Sequence, residues 1–133
     1  MSTIDDLGVR KVINASATLT RLGGSLMPPP VVTAMARAAG SFIDLGDLQR
    51  AVSERIATMT QNEACYVSSG AAGGIVVAVA ACMTGTSPAA VAQLPNTDGL
   101  KNEVIIHRCQ RNGYDHAARQ TGATVVEIGM AHS

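Results

Sequence analysis

The chain has 133 residues, with ten basic and ten acidic side chains and no net formal charge. That length holds one small domain with a core, and the charge balance offers no basic excess for nucleic acid or an acidic membrane surface. Phe42, Tyr66 and Tyr114 are the only aromatic residues, which argues against base-stacking platforms.

The apolar content is mostly Ala, Val and Ile, as suits an α/β protein with buried parallel strands. Cys65, Cys82 and Cys109 are odd in number and widely spaced. They imply a reducing compartment and no disulfide frame. Cys109 lies between Arg108 and Arg111, an electropositive setting, although a packed thiol is the plainer reading. Met1 to Arg10 carries no apolar signal core. The longest apolar run, Ala71 to Met83, is short of the roughly 20 residues of a membrane span. A soluble, cytoplasmic protein without a membrane partner is expected.

In chain order, residues 1–10 read as a loose lead-in and Val12 to Ala17 as a short extended segment. Thr18 to Pro30 is a loop. Pro30 is expected to start a helix that Gly40 ends. Ser41 to Asp44 fits a capping box. Leu45, Leu48, Val52, Ile56 and Met59 then form one apolar stripe on a helix over about 44–60. Cys65 to Ser68 reads as a buried strand and Ala71 to about Met83 as a helix. Thr84 to Asp98 is a connector with a short helix at 89–94. Val104 to Ile106 is a second strand. Gly113 to Gln120 is a helix closed by Gly122, and Val125 to Ile128 is a third strand. The order from residue 62 is thus β-α-β-α-β, preceded by two helices. Helical crossovers predict parallel strands with right-handed connections. Ligands in such sheets bind beyond the carboxyl ends of the strands. Those ends are Ser68-Ser69-Gly70, His107 to Asn112, and whatever follows Ile128.

Three stretches could carry chemistry. Tyr66 to Gly74 is a strand end, a tight turn and a helix start. Backbone N–H groups of Gly70, Ala71 and Ala72, with the hydroxyls of Ser68 or Ser69, suit an anion such as phosphate. The plain alternative is a βα junction whose glycines permit close packing. No Gly-Lys-Ser/Thr or G-x-G-x-x-G accompanies it. Gly73-Gly74 costs about 1–2 kcal/mol relative to alanines, so the sheet or a ligand should approach closely there. The second stretch, His107 to His116, is either a solvated loop or a rim for an anionic or carbonyl substrate. A metal site from His107, Asp115 and His116 matches no standard spacing, and none is expected. The third, Asn14 to Gly24, is a small, hydroxylated loop with one arginine.

Taken in order, Val12-Ile13-Asn14-Ala15, Leu19 to Gly24, Ser68 to Ala72, Asn102 to Arg108, Gly122-Ala123 and Val126 to Gly129 resemble the selenocysteine-synthase-like enzymes. The likeness is greatest to the branch that includes D-glucosaminate-6-phosphate ammonia lyase. The resemblance implies fold type I, the aspartate-aminotransferase-like architecture, and dependence on pyridoxal 5′-phosphate (PLP). It implies an arm, substrate loop and first helix over 1–40 and an incomplete large, PLP-binding domain over 41–133. It implies that Ser69, Gly70, Ala71 and Ala72 hold the PLP phosphate, with Gln110, Arg111 and Tyr114 as candidates beside the cofactor. Thr20, Arg21, His107 and His116 would face the small-molecule substrate of a lyase or transferase, an amino acid or amino sugar, with β-elimination of the ammonia-lyase type expected first. Homo-oligomers are expected of the full-length family.

Such enzymes hold PLP on a lysine as a Schiff base. Lys11 and Lys101, the only lysines, are not placed for this, so no catalytic residue is assigned. The chain is therefore expected to be the N-terminal third of a larger enzyme and inactive alone. The alternative is a non-catalytic phosphate-binding or interaction module, against which the exposed edges of a small parallel sheet speak.

Overall fold

Proline fixes where the first helix begins. A computed structural model describes residues 4–131, and helix α1 spans Pro29–Ala38 with proline in its first turn. Proline is tolerated there because that N–H would have no intrahelical partner. The chain divides into two units, Met1–Ile43 and Asp44–Ser133.

In the first unit, the segment expected to be extended over Val12 to Ala17 joins no ladder. Asn14 turns it instead: its Nδ2 donates to the Ala17 carbonyl at 2.6 Å and its Oδ1 accepts from Ser16 N–H at 2.8 Å. Asn side chains compete with strand pairing in this way. A 3-10 turn at Thr20–Leu22 follows, closed by an isolated antiparallel bridge between Leu19 and Gly24.

In the second unit, α2 (Leu45–Thr60) is capped by Asp44, whose carboxylate accepts from Asp47 N–H at 2.9 Å. The cap is thus three residues later than the box read at Ser41. The apolar stripe also needs correction. Leu45 and Met59 are 76% and 75% exposed, and the covered face runs through Gln49, Val52, Ser53, Ile56 and Ala57. That face is rotated because what lies against it is partly polar backbone. With its amide turned to suit both partners, Gln49 accepts from Val67 N–H at 2.7 Å and donates to the Val67 carbonyl at 3.3 Å.

Residues 65–68 are therefore not a strand of the sheet. A strand needs a neighbour about 4.8 Å away, and among the described residues the segment has a side chain there instead. Helices α3 (Ala71–Thr84) and α4 (Pro88–Gln93) come next. Strand β1 (Glu103–His107), helix α5 (Asp115–Arg119) and strand β2 (Thr124–Ile128) complete the unit. β1 and β2 pair in parallel, Ile105 beside Val126 and Ile106 beside Glu127. The expected parallel pairing holds for this pair, but among the described residues the sheet has two strands rather than three. α3 packs on α4 and α5, and α5 on β2.

The buried core is small-residue: Ala57, Ala117, Ala118 and Ala123, with Thr84, Thr121 and Asp115. One sheet face is bare, with Ile105 65% and Ile128 50% exposed. So little burial leaves a thin stability margin, and substitutions in the covered region should register strongly. Among the described residues no helix is long and apolar enough to cross a membrane.

Candidate functional site: a helix N-terminus beside the α5 rim

The turn before α3 is built by two serines and a glycine. Ser68 Oγ donates to the Gly70 carbonyl at 2.9 Å and accepts from Gly70 N–H at 3.4 Å. Gly70, with φ 143° and ψ 177°, starts the helix without a side-chain cap. The first helical bond runs from Gly74 N–H to the Gly70 carbonyl at 2.9 Å. The N–H groups of Ala71, Ala72 and Gly73 therefore have no intrahelical acceptor and carry the positive end of the helix dipole.

The glycine pair is explained by the serines. A β-carbon at Gly73 would lie 2.7 Å from Ser69 Oγ, and one at Gly74 would lie 3.2 Å from Ser68 Oγ. The approach expected from sheet or ligand is thus made by two hydroxyls lying against the first turn. No acidic residue occupies that turn, so nothing there opposes an anion.

Ala72 opens onto a groove of about 500 Å³ that it shares with Asn112, Gly113, Tyr114, His116, Ala117 and Gln120. Of the sequence-derived candidates, the fold brings Ala72, Tyr114 and His116 to this one groove. Gln110 ends a 3-10 turn at Arg108–Gln110 and lies outside its lining. His107, at the carboxyl end of β1, sets Nδ1 3.0 Å from Cys109 Sγ, and its ring covers Gly129. Thr20 and Arg21 belong to the other unit. That unit has its own groove of about 1050 Å³ beside Asn14, Thr18 and Gly23. Among the described residues no cluster of His, Cys, Asp and Glu suits a metal.

Arg111 is engaged elsewhere. Its Nε donates to Asp115 Oδ2 and its Nη1 to Glu127 Oε1, while Arg108 Nε donates to Glu127 Oε2 at 2.8 Å. Both oxygens of one β2 carboxylate thereby fasten the loop after β1. The Arg111 hydrogen bond holds the Asp115 carboxyl below the usual carboxylate range. Arg108 first, then Arg111, does the same for Glu127. The hydrogen bond to Asp115 in turn raises the Arg111 guanidinium above its ordinary value.

The sign of the linkage follows. Carboxyls depressed in the folded state contribute stability that is fully present above their unfolded values of about 4, and lose it as pH falls through the lower folded values. Melting temperature should therefore fall as pH is lowered below about 4. Glu127→Gln should flatten that acid limb, which thermal unfolding followed by circular dichroism across pH would read.

Sequence reading missed Gln49, Glu127, Asn112 and Gln120. Gln120 had a signal, since it shares a helical face with His116 at i, i+4. Glu127 had none, lying inside an apolar strand.

These features define an α/β protein with an anion-type turn at a helix start and a polar rim beside it. No family model matches the chain. It is 38% identical over 130 residues to D-glucosaminate-6-phosphate ammonia lyase of Salmonella typhimurium (strain 14028s / SGSC 2262), covering 95% of this chain and 35% of that enzyme. It is 34% identical over 131 residues to a 5′-C-glycyluridine monooxygenase-decarboxylase of Streptomyces sp, covering 95% of this chain and 33% of that enzyme. A solved structure of D-glucosaminate-6-phosphate ammonia-lyase matches with a TM-score of 0.90 at 37% identity, over 96% of this chain and 36% of that one. The chain is similar to D-glucosaminate-6-phosphate ammonia lyase along nearly all of its own length, as the sequence resemblance implies. It spans about a third of the curated relatives it matches.

Proposed function

We propose that this chain is the cofactor-phosphate-holding part of a PLP-dependent enzyme of fold type I, an ammonia lyase or close relative acting on an amino acid or amino sugar. The observation that carries the reading is the helix end itself. Three N–H groups without an intrahelical acceptor and the Ser68 and Ser69 hydroxyls meet there, the first turn carries no acidic residue, and the helix opens onto the Tyr114–His116 groove. Neutral donors at a helix N-terminus suit a phosphate dianion. The two relatives have names of different reaction types, and a part shared between them fits what both reactions would have in common, a held cofactor.

When bound, PLP supplies an electron sink for bonds at the substrate α-carbon. The Ser69 to Ala72 turn would fix its phosphate, and Tyr114 and His116 would bound the ring and substrate. Arg111 and Glu127 would hold that rim in place. Lys101 precedes β1, at the strand end away from the groove, and Lys11 lies in the other unit. Neither is assigned to carry the cofactor covalently, so catalysis is not expected of this chain alone. Homo-oligomerisation is part of the same proposal.

Gly73→Ala tests the reading. The added methyl must turn the Ser69 hydroxyl away, while alanine adds up to about 1 kcal/mol of helix propensity. PLP affinity should fall roughly tenfold, about the value of one or two charge-assisted hydrogen bonds, with an unchanged or raised melting temperature. Pyridoxal, which lacks the phosphate, should bind wild type and variant alike. Equal losses for PLP and pyridoxal would contradict the assignment.

A further inference from the structure

Residues 65–68 lead into the turn, and their extended backbone has no ladder beside it among the described residues. A backbone N–H and C=O on one residue form a donor–acceptor pair of fixed geometry. Val67 meets a side chain that copies a neighbouring strand. The Gln49 amide oxygen lies 2.7 Å from Val67 N–H, and its nitrogen 3.3 Å from the Val67 carbonyl. Only Asn and Gln carry an amide that can do both at once. Ser53, one helical turn along α2, fixes the amide from behind, its Oγ donating to the Gln49 oxygen at 3.3 Å.

Val67 is followed at once by Ser68 and Ser69, whose hydroxyls lie against Gly74 and Gly73. A shift of the Val67 backbone therefore moves both hydroxyls and the start of α3 together. We propose that Gln49 is a positioning residue of the phosphate turn, a surrogate strand that holds Val67 so that Ser68, Ser69 and the first N–H groups of α3 converge. The ligand arm of this proposal rests on the PLP-phosphate reading above. The backbone arm does not.

The test uses the full chain with Gln49→Glu and Gln49→Ala, compared with wild type at each pH. Hydrogen exchange of the Val67 to Gly70 amides is read without ligand, and PLP affinity is read by fluorescence. At neutral pH the glutamate accepts from Val67 N–H but cannot donate to the carbonyl. Protection at Val67 and PLP affinity should both drop, the latter roughly three- to tenfold. A carboxyl facing a carbonyl oxygen takes up its proton above the ordinary value of about 4.3. As pH falls toward about 5 the protonated side chain donates again, and Gln49→Glu should recover toward wild type while Gln49→Ala does not.

A general packing defect would give no such pH-selective recovery, and that result would overturn the proposal. Wild-type protection at Val67 in both variants would overturn it too. Lost protection with wild-type PLP affinity would overturn the positioning role. If wild type itself shows no PLP binding, the phosphate reading fails, and the exchange arm alone then decides whether Gln49 holds the segment.

Discussion

Gly122→Ala is expected to destabilise the second unit by about 2–6 kcal/mol. Gly122 follows α5 and donates its N–H to the Arg119 carbonyl at 3.0 Å, as a residue ending a helix in the left-handed region does. Its φ is +87°, and an added β-carbon would overlap the Pro95 carbonyl oxygen and lie 2.9 Å from Thr97 Cγ2. The obstructing atom is backbone, so no side-chain rotation relieves it. A non-glycine residue held there costs about 1–3 kcal/mol, and forced overpacking adds about 1–3 kcal/mol. Against the roughly 5–15 kcal/mol typical of small domains, and with a core made largely of alanines, that sum is a large share of the margin. Thermal unfolding followed by circular dichroism should show a fall of more than about 10 °C. Gly113→Ala is the control, since nothing lies within 4 Å of a β-carbon there, and its melting temperature should stay near wild type. Equal melting temperatures for the two variants would contradict this packing.

The second large effect is on binding. Gly70 has φ 143° and ψ 177°, a region occupied essentially by glycine alone. Nothing lies within 4 Å of a β-carbon at this position. The penalty for Gly70→Ala is therefore conformational rather than steric, about 1–3 kcal/mol if the backbone stays in place. The chain avoids that cost by moving the turn, which re-aims the Ala71, Ala72 and Gly73 N–H groups. PLP affinity should fall more than tenfold, with only a moderate loss of melting temperature. A variant that binds PLP like wild type would show that the turn is a plain βα junction.

How much of this was legible in the sequence depends on whether the cause is local. Helix starts marked by proline, the α3 span and the Gly122 stop are local events; α1 and α4 begin one residue earlier than expected, at Pro29 and Pro88, and α3 begins at Ala71 as expected. The parallel pairing of β1 with β2 follows from the crossover between them. Sheet membership of residues 65–68 is not local. An apolar run predicts a buried strand and does not say which element lies beside it; here Tyr66 and Val67 are 61% and 46% exposed and the neighbour is Gln49. The same contact explains why the face of α2 is rotated away from the Leu45–Met59 stripe, since the segment it covers offers a polar backbone. The groove joins the start of α3 to the region after β1, so the expectation that ligands gather beyond strand ends holds for Tyr114 and His116, whereas Ala72 follows an extended segment outside the sheet. The engagement of Arg111 with Asp115 was hidden, because a basic residue in a polar loop reads equally as an anion ligand or an ion-pair partner. Its bond to Glu127 crosses 16 positions, and no spacing rule reaches that far.

The most direct test of the central claim is to titrate the isotopically labelled chain with PLP, with inorganic phosphate and with pyridoxal while recording backbone amide shifts. The phosphate-turn assignment predicts saturable shifts at Ser69, Gly70, Ala71, Ala72 and Gly73 with both PLP and phosphate. It predicts added shifts at Tyr114 and His116 with PLP but not with inorganic phosphate. Pyridoxal should leave the turn unmoved. Shifts with PLP that avoid residues 69–73, or a turn that responds to pyridoxal as strongly as to PLP, would contradict it.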